Sequence, residues 1–442
     1  MAEKQYGFDT RKVRAGYNSA EHNYAISPPI YQTTAYDFKS VEYAKQLFAF
    51  ETVGNLYTRV GNPTVGVLEA RMAELDGAAA AIALGSGMAA ISYTLLNLAE
   101  GGGRILVSPY LYGGSADSFK KLYPKFGIQI DYAKHIDDPA KLEGEIAPDT
   151  KAIFIESISN PSAVLLDIRA IADVAHRNGI PLVVDNTVAT PYLLRPIEHG
   201  ADIVVYSATK GLNGHGNIIA GLILESGKFD WANGRYPHFA EKYYTLRDHS
   251  TDEHRSYLEA FPDAPFTTRI RFNYLNYFGA ALGPFDAYLA LVGLETLSER
   301  LSKQVENARI IAEWLRRRTD YVEWVRYPEL SDSPYRSLAE QYFPNGAGGI
   351  LAFGFRGDEV QREYFLDAVE LINYHVNIGD ARTLIVDSPN NTHGELEPYE
   401  KERADVPPNL IRISAGLEDP NDLIADLDQA FLASERSKLI AI

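Results

Sequence analysis

Residues 202–217 read DIVVYSATKGLNGHGN, an apolar, β-branched run that closes on Ser207-Ala208-Thr209 and sets Lys210 directly after it, among glycines. A lysine there has three possible uses: to be solvated, to grip a phosphate, or to attack an electrophile as a free amine. Solvation is the usual fate of a lysine, but it gives no reason to follow a strand that is apolar to its end. Other short apolar runs end in comparable chemistry. AAIALGSG (80–87) ends in Gly85-Ser86-Gly87, with Met88-Ala89-Ala90 opening a helix, and glycines plus a hydroxyl at a helix N-terminus make an anion site. A tight strand-to-helix turn explains that motif equally well, and it is neither a Walker A sequence nor GxGxxG. RILVSP (104–109) leads into Tyr110-Leu111-Tyr112-Gly113-Gly114, where Tyr112 is a packing residue or an aromatic face on a flexible turn. KAIFIES (151–157) delivers Glu156 and then Asn160-Pro161, and PLVVDNT (181–187) delivers Asp185. An acid at the end of such a run caps a local turn or pairs with a cation, because burying it alone is costly.

Taken together, a phosphate nest, an aromatic face, a carboxylate and a lysine nucleophile match one ligand, pyridoxal 5'-phosphate. Lys210 would hold its aldehyde as a Schiff base, Asp185 would keep the ring nitrogen protonated, and Tyr112 would stack on the ring. Ser207 and Thr209, two residues apart, would point the same way, towards the phosphate.

The elements that must carry these residues are those of an α/β fold. From about Thr64 the apolar runs alternate with amphipathic helical patterns. One is DIRAIADVAHRNG (167–179), with Asp167 as N-cap and Gly179 as its stop. Such alternation predicts a mostly parallel sheet covered by helices on both faces. Residues 1–63, rich in Tyr, Pro and Asn, read as an arm packed on something else, such as another subunit. A PLP-binding domain is expected over 64–285 and a smaller α+β domain over 286–442. The second would contain a long helical stretch from about Pro284 to Arg318, strands in GGILAFGF, LINYHVNIG and NLIRISAGL, and a last helix opened by Asp419-Pro420. Residues 228–273 read as an irregular, aromatic and charged excursion.

Composition narrows the function classes. The chain has 442 residues, a formal net charge of −17 and no cysteine. The acidic balance argues against nucleic acid as a partner, and the missing cysteine excludes thiolate metals, disulfides and catalytic thiols. No metal is expected. The start, MAEKQYGFDTRKVRAGY, lacks a signal-peptide core, and no apolar run approaches a membrane span. A cytoplasmic protein without a membrane partner is expected.

The motifs YTRVGNPT, GSGMAA, LYGG, ESISNP, VDNTVATP, YSATKGLNGHG, NIGDARTLI, NTHG and LIRISAGLED occur in this order. With them the whole chain resembles the cysteine/methionine-metabolism family of fold-type-I PLP enzymes, and within it the sulfhydrylases. The resemblance implies the fold-type-I sheet of seven strands. It assigns Lys210 as the Schiff-base lysine, Tyr112 as a second catalytic residue in proton transfer, and Asp185 as the ring-nitrogen partner. It gives the phosphate to Ser86, Gly87, Met88, Ser207 and Thr209, and to Tyr57 and Arg59 of a neighbouring subunit, and so implies a homodimer at least and a homotetramer by family habit. Arg412, with Asn160 and Asn377, would bind the substrate carboxylate; its neighbours Ile411 and Ile413 argue against a mere surface ion pair. The implied reaction is γ-replacement on O-acetylhomoserine by sulfide or a small thiol, giving homocysteine or methionine. The implied alternatives are cystathionine γ-synthase or γ-lyase activity, an O-succinyl substrate, or a non-catalytic homologue. Three positions depart from the family pattern: Tyr206 stands where the family often has His, Val188 where it often has Phe, and Gly211 where a bulkier residue is usual. Asn377, where the family's lyases tend to have Ser, leans towards a sulfhydrylase. Gly114 and the absence of Cys speak against the methionine γ-lyase branch.

Overall fold

The computed structural model describes residues 6–248, 251 and 253–435. Seven strands form the central sheet: β1 (Ala80–Leu84), β2 (Gly103–Val107), β3 (Ile128–Tyr132), β4 (Thr150–Glu156), β5 (Leu182–Asp185), β6 (Ile203–Ser207) and β7 (Gly221–Glu225). Their spatial order is β1-β7-β6-β5-β4-β2-β3. β7 alone runs against its neighbours, pairing antiparallel with both β1 and β6. The six others share one direction, so their carboxyl ends open at one edge, where ligands of such sheets gather.

Alternate residues of each strand feed two cores. Ile153, Ile155, Val184 and Val204 pack on one face with the helices Pro63–Asp76 and Ile168–Arg177. Ala152, Phe154, Val183 and Val205 face the other side, towards the helix Gly87–Leu98. Period-2 alternation with both faces buried is why these strands read as continuous apolar runs. The expected helix over 167–179 is present at Ile168–Arg177; Asp167 accepts from the Ala170 amide, and Gly179 takes φ +65° after it.

The segment 228–273 is less irregular than its sequence reads. It contains short helices at Pro237–Ala240, Tyr257–Ala260 and Pro265–Arg269, a two-stranded ribbon of β8 (Tyr243–Asp248) with β9 (Glu253–Arg255), and a π-helical stretch at Ile270–Leu275. Trp231, Tyr236, Phe239 and Phe266 pack on the sheet. Glu225, 1% exposed, gathers the segment by accepting from Trp231 Nε1 and from the Phe266 and Thr267 amides.

The second sheet orders β10 (Val322–Arg326), β11 (Ile350–Phe355), β14 (Leu410–Ser414), β13 (Leu384–Asp387) and β12 (Asn373–Tyr374) side by side in that sequence. Leu351, Phe353, Ile411 and Ile413 meet the helices Leu297–Leu315 and Pro420–Ser434. By alternation, Arg412 lies on the opposite face. Two expectations need correction here. The helical stretch from Pro284 breaks at Thr296 into Pro284–Glu295 and Leu297–Leu315. Of LINYHVNIG only Asn373 and Tyr374 form a strand, because the chain then turns away towards Lys210.

The helix Phe8–Arg14 packs on its own chain, with Lys12 buried against Ser298 and Glu299 and Arg71 Nε donating to the Ala15 carbonyl at 3.0 Å. Among the described residues no helix is long and apolar enough to cross a membrane.

Candidate active site

The carboxyl edge of the large sheet holds a cavity of about 260 Å³. At the end of β1, Ser86 caps the helix Gly87–Leu98 by accepting from the Ala89 amide at 3.0 Å. A Cβ on Gly87 would lie 2.6 Å from Ser207 Cβ, and one on Gly221 would lie 2.0 Å from the Ser86 carbonyl oxygen. Only glycines let this helix start press against the end of β6. The first N–H groups of a helix lack intrahelical acceptors, so the contact presents donors, the Ser207 and Thr209 side chains and the positive helix end to one space.

Lys210 lies just past β6 in a tight turn: its amide donates to the Ser207 carbonyl (3.1 Å) and its carbonyl accepts from the Gly214 amide (2.8 Å). Arg300, 5% exposed, secures this turn from the helix Leu297–Leu315, donating to the carbonyls of Gly211 (2.9 Å), Leu212 (3.1 Å) and Gly293 (2.7 Å). A Cβ on Gly214 would lie 1.9 Å from Arg300 Nη1, so the small residues after the lysine make room for the guanidinium. From the other side, Gly379 at φ +66° brings the loop after β12 against the Gly211 backbone. That loop carries Asn377, whose Oδ1 accepts from Lys210 Nζ. Burial, and then the positive charge of Arg412, lower the Lys210 ammonium to about 8. An amine so placed has a sizeable neutral fraction near neutral pH.

Two carboxyls face each other across β4 and β5, since Glu156 is in register with Asp185. Burial raises Asp185 to about 6, although the Thr187 amide donates to its Oδ1 at 3.0 Å. Glu156 is raised well above the usual carboxylate range, first by burial and then by the charge of Asp185.

Arg412 is fully buried. Its Nη1 donates to Asn160 Oδ1 at 3.0 Å, and its Nη2 to the carbonyls of Val376 (3.1 Å) and Asn377 (2.9 Å). Its Nε has no partner among the described residues. Burial lowers even this guanidinium, to about 9, so it is primed to gain from an arriving anion. Ser86, Gly87, Met88, Tyr112, Asn160, Asp185, Ser207, Thr209 and Lys210 all line the one cavity, and Asn377 and Arg412 join it through the bonds above. Tyr57 and Arg59 do not. They line a separate aromatic groove, where Arg59 lies 4.8 Å over the Tyr57 ring and donates to Asn276 Oδ1 at 3.4 Å.

Sequence reasoning gave no role to Glu156, Arg300 or His393. Glu156 was visible as an acid closing an apolar strand; Arg300, in the pattern of a surface helix, carried no signal. His393 is fully buried, its Nε2 donating to the Leu111 carbonyl (3.1 Å) and its Nδ1 accepting from Thr392 Oγ1 (3.0 Å). Burial lowers it to about 4, which keeps it neutral.

The geometry fits pyridoxal phosphate. A helix N-terminus held close by glycines beside the Ser207 and Thr209 side chains, a carboxylate, an exposed tyrosine face and a lysine amine surround one cavity. Comparison with known proteins agrees. Residues 9–432 match the family model described as Cys/Met metabolism PLP-dependent enzyme. The chain is 40% identical over 427 residues to O-acetyl-L-homoserine sulfhydrylase 1 of Thermus thermophilus, covering 96% of this chain and 99% of that one. It is also 40% identical over 430 residues to O-acetyl-L-homoserine sulfhydrylase of Corynebacterium glutamicum (97% and 98%), and 37% identical over 436 residues to L-methionine gamma-lyase of Pseudomonas putida (98% and 99%). Its fold matches a crystal structure of a putative O-acetylhomoserine (thiol)-lyase from Campylobacter jejuni that carries N'-pyridoxyl-lysine-5'-monophosphate. The TM-score is 0.91 and the identity 36%, over 96% of this chain and all of that one. The chain belongs to the Cys/Met metabolism family of PLP-dependent enzymes.

Proposed function

We propose that this PLP-dependent enzyme of the Cys/Met metabolism family converts O-acetylhomoserine and sulfide, or a small thiol, to homocysteine, or the corresponding thioether, and acetate. The observation that carries the choice of substrates is the cavity wall. Beyond the polar cluster it is built from Ile91, Ile158, Val188, Ile219, Val376 and Ile378, and among the described residues of this chain the cations that reach it are Lys210 and Arg412, both engaged by the reaction itself. An acetyl group and hydrosulfide need no further charge partner. A succinyl carboxylate or the zwitterion of cysteine would bring a charge that this wall leaves unpaired.

Bound pyridoxal phosphate supplies an electron-withdrawing ring that spreads the negative charge developing at the substrate's Cα and Cβ. Ser86, Gly87, Met88, Ser207 and Thr209 hold the phosphate, Asp185 the ring nitrogen, and Tyr112 the ring face. Arg412, steadied by Asn160 and Asn377, meets the substrate carboxylate. The Lys210 amine, brought near neutrality by burial, takes the Cα proton, and Asn377 marks where that amine rests when it is free. In balance, the Cγ–O bond breaks with acetate leaving and a Cγ–S bond forms from hydrosulfide. Tyr57 and Arg59 serve the phosphate of a neighbouring subunit through the 1–63 arm, in a cytoplasmic homotetramer built from such dimers. The domain division at residues 63 and 285 belongs to the same reading.

Product analysis tests the function. With O-acetylhomoserine, homocysteine should form only when sulfide is added. Formation of 2-oxobutyrate and ammonia at the same rate with or without sulfide would make the enzyme a γ-lyase and overturn the proposal.

A further inference from the structure

We propose that Glu156 is a positioning residue that joins the face of the cofactor ring to the substrate clamp, one carboxyl oxygen fixing the Tyr112 main chain and the other the Asn160 main chain. The side chain is 5% exposed and ends β4 on the cavity wall. Its Oε1 accepts from the Tyr112 amide at 2.5 Å and its Oε2 from the Asn160 amide at 3.2 Å.

Each contact is one step from a group that meets a ligand. Tyr112 offers the ring face, and its turn has little freedom elsewhere. A Cβ on Gly113 would lie 1.8 Å from the Thr392 carbonyl oxygen, so the turn is pressed on the loop that carries His393, and His393 holds the Leu111 carbonyl. Tyr112 is thus held at its own amide by Glu156 and at the preceding carbonyl by His393. On the other branch, Asn160 Oδ1 takes Arg412 Nη1, so the Asn160 main chain sets where the guanidinium rests. Among the described residues Glu156 is the one side chain bonded to both branches, and His393 bonds on the tyrosine branch. A glutamine at 156 keeps the volume but sets its N–H group against one of the two amides, and a side chain that turns to relieve that clash loses the geometry of both bonds.

The inference rests on the reading of the site given above, but its test does not depend on which product forms. Wild type, E156Q, E156A and H393A would be compared by two measurements. The first is the visible circular dichroism of the bound cofactor, with the affinity of the apoenzyme for pyridoxal phosphate. The second is the affinity for L-norleucine, an amino acid without a leaving group, followed by the absorption change of the holoenzyme. E156Q should weaken norleucine by about tenfold, the worth of one hydrogen bond to a charged or buried partner, and should reduce the dichroic band; E156A should do more of both. H393A should reduce the band and leave norleucine affinity unchanged. If E156A does not fold, E156Q alone decides. A lowered melting temperature with both optical measurements at wild-type values would mean that Glu156 only satisfies two buried amides, and would overturn the proposal. So would loss of one measurement without the other in both Glu156 variants. A wild type that makes no homocysteine would defeat the functional reading alone, since both optical measurements would still be defined.

Discussion

Asp76 ends the helix Pro63–Asp76 with no exposure to solvent; its Oδ2 accepts from the Tyr206 hydroxyl at 2.6 Å and its Oδ1 has no partner among the described residues. The same hydroxyl accepts from Asn186 Nδ2 at 2.8 Å, so the triad lies beneath the strand ends that carry Asp185 and Ser207. Burial raises the Asp76 carboxyl from 3.8 to about 7. Each tenfold change in proton affinity is worth about 1.4 kcal/mol, so ionising Asp76 in place costs roughly 4 kcal/mol relative to the unfolded chain. The sign follows from proton uptake. The folded state holds this proton more tightly, so its stability is highest below pH 4, falls as pH rises from 4 to 7, and levels off above. Asp76→Asn removes the titration and keeps an acceptor for Tyr206. Unfolding entropy of about 2.1 cal/mol/K per residue makes 1 kcal/mol worth about 1 °C in a chain of this length. The melting temperature of D76N relative to wild type should therefore rise by about 3 °C between pH 5 and pH 8, with most of the change below pH 7. Scanning fluorimetry of the two holoenzymes across that range measures it. A difference that stays constant with pH, or narrows towards pH 8, would refute a protonated Asp76 in this triad.

Replacing Arg412 by Ala should cut kcat/KM for O-acetylhomoserine by about 100-fold or more, because a buried carboxylate would lose its charge partner; a loss under about fivefold in steady-state kinetics would remove Arg412 as the clamp. Mixing inactive Arg59→Ala and Lys210→Ala proteins should restore part of the activity if the Tyr57–Arg59 groove completes a neighbour's site. No recovery, with subunit exchange shown by mass spectrometry, would place those two residues outside the catalytic unit.

The cavity was largely legible because its groups stand at the ends of apolar strands, where periodicity marks both the strand and its edge. Ser86-Gly87, Asp185 and Lys210 could be read in that way, and the structure brings them to one space. What stayed hidden depends on contacts between distant segments. β7 carries no chemistry and looks like any apolar run, yet its reversal makes β1 the edge strand. The helical pattern runs through Thr296 without a sequence break, although the helix does not. LINYHVNIG has the β-branched content of a strand, but Gly379 bends the chain onto the lysine turn instead. Arg300 is a surface-type residue in a polar helical pattern, and only the packing of that helix on the Gly211–Gly214 turn makes it internal.

The bond between Lys210 and Asn377 joins residues 167 positions apart. At ribosomal speeds of about 5–20 residues per second, Asn377 is made roughly 8 to 33 s after the lysine. Arg412 follows later still. The strand ends that carry Ser86, Asp185 and Lys210 all precede, in order of synthesis, the strands of the second sheet. Synthesis in that order makes the second sheet, with Arg412, the last part of the site to exist.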